Sequence, residues 1–364
     1  MRFTSANNGY LPETTKQVIA VVRDPKTFMH NRYIQYVPTP YPMAVWTEVE
    51  RTQFSRLLQS GETVWTDGEA RPVNRQNRLR HTTKTADSIR HDIGWMLGYQ
   101  TIENTNLYQV RPAHMTMATH QLINQIYSDT WTELTTSGNY PSGHTDTATN
   151  VAGAKLDTGT LSNPYYAKFL LYCGELINRV TGGVVQITDL VAIMNPKTAK
   201  LIGVSAEMRQ WFANSVLADK VYADPHQAVD RNFGLPPVYQ GVEQIVETKA
   251  YTTTAQDVTS GTDTPSYSYF VPDNTVLVMS RKGGIDSLPG EMPFSSVQMF
   301  YYAGGRNKET AQGPYEVGEG IDSLLAVESF DDPRNRRVEG HVSCQYVSKL
   351  VAPWTAFYCT SATG

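Results

Sequence analysis

The chain has 364 residues and a net charge of −4, from 31 lysines and arginines against 35 aspartates and glutamates. This length can bury a substantial core in one large or two ordinary domains, which argues against disorder of the whole chain. Because the net charge is slightly negative, the protein as a whole does not attract nucleic acid electrostatically, so any contact with DNA would be local and weak.

The three cysteines, Cys173, Cys344 and Cys359, are odd in number and widely spaced, which argues against a disulfide framework and for a reducing compartment. We expect them to be buried. The N-terminus has no apolar core long enough for a signal peptide, and no segment approaches the roughly twenty apolar residues of a membrane span. The sequence therefore predicts a soluble protein made in the cytoplasm.

Charged residues make up 18% of the chain, whereas tyrosines (21) and prolines (20) are many. A soluble domain averages about 25% charged residues. Tyrosine is favoured at interfaces because it buries area while its hydroxyl keeps a polar partner. This composition favours a surface that is used for contact.

Residues 1–45 are predicted to be an extended arm. The stretch HNRYIQYVPTPYPM has closely spaced prolines and aromatic residues without periodicity. Such a segment has little core of its own, so we expect its tyrosines and Met43 to be buried against a neighbouring subunit. Disorder is the alternative.

Residues 50–105 are polar and arginine-rich, and they cannot build a core. A long hairpin that projects from the body has this composition, and so does a solvated loop. In a third interpretation the arginines bind the phosphates of a nucleic acid. No aromatic residue lies between them to stack on bases, so contact with protein is favoured over contact with nucleic acid. The stretch Ile93–Ile102 would return to the body as a strand. The arginines are Arg71, Arg75, Arg78, Arg80 and Arg90.

Two helices are predicted before the middle of the chain. Apolar residues at spacings of three and four predict a long helix over 111–134, with Pro112 near its start. A second helix runs to Val180, with Asn163 as its cap and Gly182 and Gly183 at its end.

The clearest junction between a strand and a helix in the sequence is DLVAIMNPKTAKLIG, residues 189–203. A strand, Leu190–Met194, is followed at once by a helix in which Asn195 is the cap and Pro196 takes the first position. Lys197 and Thr198 at a helix start would also suit an anion. No glycine loop precedes them, which favours the structural interpretation, and an anion site over 195–198 stays as the alternative.

The rest of the chain predicts a short helix from a Ser205 cap, a loop followed by a strand within 234–253, a strand over 275–280, and long alternating strands over 336–361. Helices and strands alternate without a repeat. The predicted fold class is α+β with mixed sheets.

No catalytic or metal-binding signature is found, and neither a cofactor nor a metal is predicted. His114 and His120 are six apart on one helix and cannot share a metal ion. His341 and Cys344 lie three apart in a strand and point to opposite faces. Residues 304–320 are glycine-rich without a phosphate-binding pattern. A cation site is a minor alternative for three acidic residues of one loop, Glu316, Glu319 and Asp322.

The order of these parts resembles the major capsid proteins of tailed bacterial viruses, the Hong Kong 97 phage fold. The most specific pieces are DLVAIMNPKTAKLI and VPDNTVLVM. The resemblance implies an N-terminal arm (1–45), an extended loop (46–105), a peripheral lobe with a spine helix (106–180 and 270–364) and an axial lobe (181–269).

The resemblance also implies a non-enzymatic shell protein of the virion. Copies would assemble in the host cytoplasm into hexamers and pentamers, which form an icosahedral or prolate shell around double-stranded DNA. A separate scaffolding protein, a portal and decoration proteins are implied partners. Some members cross-link through a lysine of the extended loop. Lys84 is the only lysine there and its partner cannot be matched, so cross-linking is not predicted.

Two alternatives remain open. One is a cellular encapsulin-type compartment of the same fold. The other is an α/β enzyme with an anion site at Asn195 to Thr198.

Overall fold

The computed structural model of the protein describes residues 29–39, 41–49, 81–104, 110–214, 233–253, 266–283, 295–302 and 325–364. Its helices are α1 (Tyr99–Asn104), α2 (Val110–Thr135), α3 (Ala148–Ala152), α4 (Tyr165–Val180), α5 (Pro196–Val204) and α6 (Ala206–Asn214). Its first strands are β1 (Gln35–Thr39), β2 (Met43–Val49), β3 (His81–Asp87), β4 (Ile89–Gly98), β5 (Thr145–Thr147), β6 (Leu190–Met194) and β7 (Val238–Tyr239). The later strands are β8 (Val242–Val246), β9 (Ala250–Thr252), β10 (Tyr267–Tyr269), β11 (Val276–Ser280), β12 (Val297–Tyr302), β13 (Leu325–Asp332), β14 (Arg337–Leu350) and β15 (Ala356–Thr360).

This mixture of helices and sheets confirms the α+β class. Helix α2 extends the predicted range of 111–134 by one residue at each end. A search of the helices in the described part of the chain finds none with the length and hydrophobicity of a membrane span.

A six-stranded sheet in the order β5-β15-β11-β6-β8-β7 packs against helix α2 on one face and against helices α4 and α5 on the other. Val191 and Ile193 of β6 belong to the apolar cluster that contains α2. Leu190, Ala192 and Met194 belong to the cluster that contains α4 and α5. The unbroken apolar run of β6 therefore reflects a strand that is covered on both faces.

The second large sheet has the order β1-β12-β14-β13, and β4 also pairs with β14. Every even-numbered residue of β14 from Val338 to Leu350 is buried, which confirms the alternation predicted for the tail. This face packs on α2, where the hydroxyls of Thr130 and Ser348 lie 2.9 Å apart. A short 3-10 turn at Pro353–Thr355 then separates β14 from β15 and lets the chain pass to the other sheet.

Residues 29–39 belong to the core of this same chain. Tyr33 and Ile34 are completely buried, and β1 pairs in parallel with β12. The Tyr33 ring lies 6.4 Å from that of Trp131 on α2. The expectation that the tyrosines of the 1–45 arm need a neighbour is thus wrong for Tyr33, because its own chain already covers it. Residues 1–28 lie outside the described residues.

Strands β2 and β3 form an antiparallel ribbon, with Met43 opposite Asp87 and Val49 opposite His81. This pairing agrees with the hairpin interpretation at the described ends of the predicted extended loop. Strand β4 then returns to the body by pairing with β14 along its whole length. The return strand ends at Gly98, earlier than predicted, because α1 begins at Tyr99. The loop residues 50–80, with Arg71, Arg75, Arg78 and Arg80, lie outside the described part.

The contacts group the lobes differently from the division at 180/181 and 269/270. Helix α4, assigned by sequence to the peripheral lobe, packs in one cluster with β6 and α5. Strands β11 and β15 share a sheet with β6 and β8. The predicted boundaries therefore stay a prediction, and a revised division is proposed below.

Candidate functional site

The junction at residues 195–198 is built as the sequence predicts. Asn195 is completely buried and caps α5, since its Oδ1 accepts a hydrogen bond from the Thr198 N–H at 2.8 Å. Pro196 takes the first helical position, where its missing N–H costs nothing. Within the 195–198 segment of the anion alternative, the Asn195 side chain and the Thr198 N–H are therefore already hydrogen-bonded to each other.

The carboxylate of Asp273 lies at this helix start. Its Oδ1 accepts from Asn195 Nδ2 at 2.6 Å, and its Oδ2 lies 2.7 Å from Lys197 Nζ. The hydrogen bond and the charge of Asp273 raise the pKa of Lys197. Because a negative charge is stabilised at a helix N-terminus, the chain's own carboxylate occupies the position that the alternative assigned to a ligand.

The same junction holds the last residues of the chain. Thr198 Oγ1 accepts from the Asn274 N–H at 3.0 Å. Asn274, which has a left-handed φ of 57°, in turn accepts from the Ala362 N–H at 2.7 Å and from the Thr363 hydroxyl at 2.6 Å. The junction thus fixes α5, the start of β11 and residues 362–363 to one another.

A buried carboxylate also replaces the cap that was predicted for α4. Asn163 does not cap this helix; Pro164 precedes it and makes no side-chain cap bond. Instead Glu207 of α6 accepts from the N–H groups of Tyr166 and Ala167 at 3.0 and 2.9 Å. Sequence reasoning missed Glu207 because it lies about forty residues from the helix that it caps.

One cluster in the described residues has the side-chain types of a nucleophilic site. Cys344 and His91 are cross-strand partners in β14 and β4, and His91 Nε2 lies 3.4 Å from Asp129 Oδ2. Burial, and then the charges of Asp129 and Asp92, raise the pKa of the Cys344 thiol to about 12. Since the thiolate is the nucleophile, this cluster offers no reactive sulfur near neutral pH. The sequence could not reveal it, because only strand register joins residues 91 and 344.

The other sequence candidates are dispersed. His341 is on the face opposite Cys344, as predicted, and its Nδ1 lies 3.6 Å from Asp92. His114 packs beside Trp95, at 6.3 Å between ring centres.

Within the described ranges no group of three or more histidines, cysteines and acidic residues is arranged to hold a metal ion. Arg90 pairs with Asp92 at 2.8 Å. All three cysteines are buried, as predicted. The acidic residues Glu316, Glu319 and Asp322, like all of loop 304–320, lie outside the described residues.

An open groove lies between α2 and the ribbon of β9 and β10. Its walls are amides, hydroxyls and the aromatic rings of Trp131, Tyr251 and Phe270. The hydroxyls of Thr132 and Thr135 donate to backbone carbonyls one turn earlier in α2. Among the described residues that line this groove there is no carboxylate, lysine, arginine, histidine or cysteine.

The ribbon of β2 and β3 presents an unusual surface. By alternation, Ala44 and Trp46 face the body, where the Trp46 ring stacks on Phe300 at 5.7 Å. Tyr41, Met43 and Val45 face outward and are 70%, 42% and 50% exposed; we call these three the hairpin face. A two-stranded ribbon is marginal in water, and grouped exposed apolar residues mark contact sites.

Two solved structures that are similar to this one come from phage proteins. A phage-related protein from Bordetella bronchiseptica matches with a TM-score of 0.58 at 10% identity, over 98% of each chain. The capsid of cyanophage P-SCSP1u matches with a TM-score of 0.50 at 11% identity, over 100% of this chain and 91% of that one. The chain has the Hong Kong 97 phage capsid fold. Comparison with protein-family models gives no match, and comparison with curated sequences gives none either.

Two described elements agree with the predicted order of parts. Helix α2 is the long helix predicted over 111–134, and β2 and β3 pair as two antiparallel strands within residues 43–87. The fold prediction, which rested on the order of the parts, is confirmed.

Proposed function

We propose that this chain is the major capsid protein of a tailed bacteriophage and that it acts as a structural protein without catalytic activity. Copies assemble into hexamers and pentamers, which close into an icosahedral or prolate shell around double-stranded DNA. The observation that carries the proposal is the match to the cyanophage capsid over the whole length of this chain.

The chemistry of the described residues supports this proposal. The helix start at 195–198 is satisfied by Asp273, and Cys344 is held as a thiol. The hairpin face, by contrast, exposes apolar area that a neighbouring copy would cover. Many weak contacts that symmetry repeats give a stable closed shell.

Each predicted part has a role in this proposal. The arm, residues 1–45, contacts a neighbour outside the segment 29–39, which its own chain buries, and the extended loop, 46–105, overlaps the adjacent copy. The peripheral lobe contains α2 and the sheet of β14. The contacts favour an axial lobe of residues 136–283 together with 351–364, because these segments build the six-stranded sheet and its helices.

Other proteins complete the proposed particle. A separate scaffolding protein, a portal and decoration proteins are the expected partners. The chain lacks a net positive charge, which suits a wall that must not hold the DNA tightly during packaging and ejection. The proposed location is the virion, after assembly in the host cytoplasm.

Electron microscopy tests the proposal. The full chain is expressed alone, purified by size exclusion and imaged in negative stain at several salt concentrations and pH values. Closed shells, or flat hexamers and pentamers, are the expected result. A monodisperse monomer or dimer under all conditions, also after co-expression with the candidate scaffolding protein, would contradict it.

A further inference from the structure

The short segment 29–34 is attached to the body by buried ionisable side chains. It forms a 3-10 turn at Met29–Arg32, and the His30 carbonyl accepts from the N–H groups of Tyr33 and Ile34 at 3.1 and 2.8 Å. On the surface, Arg32 pairs with Glu243 of β8 at 2.7 Å. Beneath this ion pair lie the two side chains that carry the inference.

The first is Glu247, which follows β8 and has no exposed area. Its Oε2 accepts from the Tyr33 hydroxyl at 3.0 Å, and its Oε1 accepts from the Lys249 N–H at 3.3 Å. Burial raises the pKa of Glu247 to about 7, against the smaller opposing effects of these two hydrogen bonds and of Lys249 and Arg32. The attached turn therefore favours the protonated carboxyl group.

The second is His30, which is also completely buried. Its ring lies 3.7 Å from that of Tyr127 on α2 and 5.4 Å, edge on, from that of Tyr33. Burial, and then the charge of Lys249, hold the pKa of His30 well below 6.5. The attached turn therefore favours the neutral imidazole.

Other titratable and charged groups of the described residues lie around this site. Tyr33 and Tyr36 face the site from the N-terminal segment, Tyr127 and His120 from α2, Lys249 and Glu243 from the β8 side, and Arg32 from the surface. Burial raises the pKa of Tyr33 and Tyr36, so neither titrates below pH 10.

We propose that the buried side chains of His30 and Glu247 act as a compensated proton pair, so that the attachment of residues 29–34 depends less on pH than either side chain alone would make it. Detachment exposes both side chains, so that His30 gains a proton and Glu247 loses one. These two changes offset each other, and linkage then predicts only a small slope with pH.

Each group alone would make the attachment equilibrium vary with pH, and the two variations have opposite signs. For His30, whose pKa is lowered in the attached state, attachment weakens as pH falls below 6.5, because only the detached ring takes up the proton. For Glu247, whose pKa is raised, attachment is strongest below 4.5 and weakens as pH rises from 4.5 to about 7. Each slope is roughly tenfold in the equilibrium constant per pH unit.

Hydrogen exchange of the full chain tests the pair. Protection factors of the Tyr33 and Ile34 amides are measured from pH 4.5 to 8, with the Leu122 amide of α2 as a reference for global unfolding. In the unaltered protein we expect a change of less than about threefold between pH 4.5 and 6.5. In Glu247→Gln, protection should fall roughly tenfold per unit below pH 6.5; in His30→Phe, which keeps an aromatic ring on Tyr127, it should rise as pH falls from 7.

The double variant should again show only a small slope. The proposal is overturned if the unaltered protein already has a tenfold slope, or if neither single variant gains one. If the Leu122 amide reports that Glu247→Gln is unfolded, His30→Phe alone decides, because general destabilisation cannot strengthen protection at low pH. The measurement needs no assembled shell, so its failure is distinct from failure of the proposed function.

Discussion

Asn195 and Lys197 are two residues apart, yet their side chains contribute differently to stability. Asn195 is buried and holds both the Thr198 N–H and the Asp273 carboxylate, whereas the Lys197 side chain is 59% exposed. We expect Asn195→Ala to lower the free energy of unfolding by about 1 to 3 kcal/mol, since it removes a cap and leaves buried partners unpaired. Urea denaturation measures this change.

The matched control is Lys197→Ala. An exposed ion pair contributes little to stability, so this variant should unfold at nearly the same urea concentration as the unaltered protein. A large loss in Lys197→Ala would mean that its ion pair with Asp273 is stabilising, whereas a thermal shift with nucleotide that this substitution abolishes would revive the anion alternative.

The three cysteines give a second prediction at the scale of single residues. Burial raises the pKa of Cys173, and it raises the pKa of Cys344 and Cys359 to about 12. With Ellman's reagent at pH 8 we expect no fast-reacting thiol in the folded protein and three in denaturant. Rapid labelling of Cys344 without denaturant would show that its cluster with His91 is reactive.

The same pKa values fix the sign of a pH dependence. A thiol whose pKa is raised by folding contributes its full stability below 9.0, the ordinary value, and loses it as pH rises towards about 12. The urea midpoint should therefore fall above pH 9. Cys344→Ala should reduce that slope without removing it, since Cys359 still contributes.

At the scale of elements, the start of α4 depends on a side chain from another helix. Glu207 accepts from two N–H groups of α4, and its Oε1 also accepts from the Tyr239 hydroxyl at 2.8 Å. Glu207→Ala leaves these buried donors without a partner, and we expect a loss of at least about 3 kcal/mol by urea denaturation. Glu175→Ala, on the exposed face of α4, is the control and should change stability far less. Equal effects would mean that helix propensity, and not the cap, sets the stability of α4.

Local patterns predicted the elements whose cause is local. The spacing of apolar residues predicted α2. The pair Asn195 and Pro196 predicted the start of α5, because the cap and the first turn of a helix lie within four residues. Alternation gave β14. The cap of α4, the cluster around Cys344 and the place of β15 depend on residues that are distant in sequence. No periodicity encodes such contacts, so local patterns could not predict them.

At the scale of the whole molecule, the hairpin face gives a test of assembly. The double variant Met43→Gln with Val45→Thr removes apolar area but keeps residues that suit an exposed strand. Because both side chains are already exposed in the single chain, the urea midpoint should hardly change. We expect the yield of shells or hexamers, counted by electron microscopy and size exclusion, to fall at least tenfold, since every copy repeats the weakened contact.

Leu161→Gln is the control for this variant. Leu161 is 53% exposed in a loop away from the ribbon, so its replacement tests whether loss of any exposed apolar side chain impairs assembly. Normal assembly of the hairpin variant would mean that copies meet through another surface.

The place of β15 has a consequence for the timing of folding on the ribosome. Strand β5 joins the six-stranded sheet only through β15, and Thr360 is made 213 residues after Thr147 (360 − 147). Because a ribosome adds about 5 to 20 residues per second, β15 is made roughly 10 to 40 s after β5. The sheet therefore closes only after residue 360 has been made, so a nascent chain shorter than this cannot offer the complete sheet to another copy.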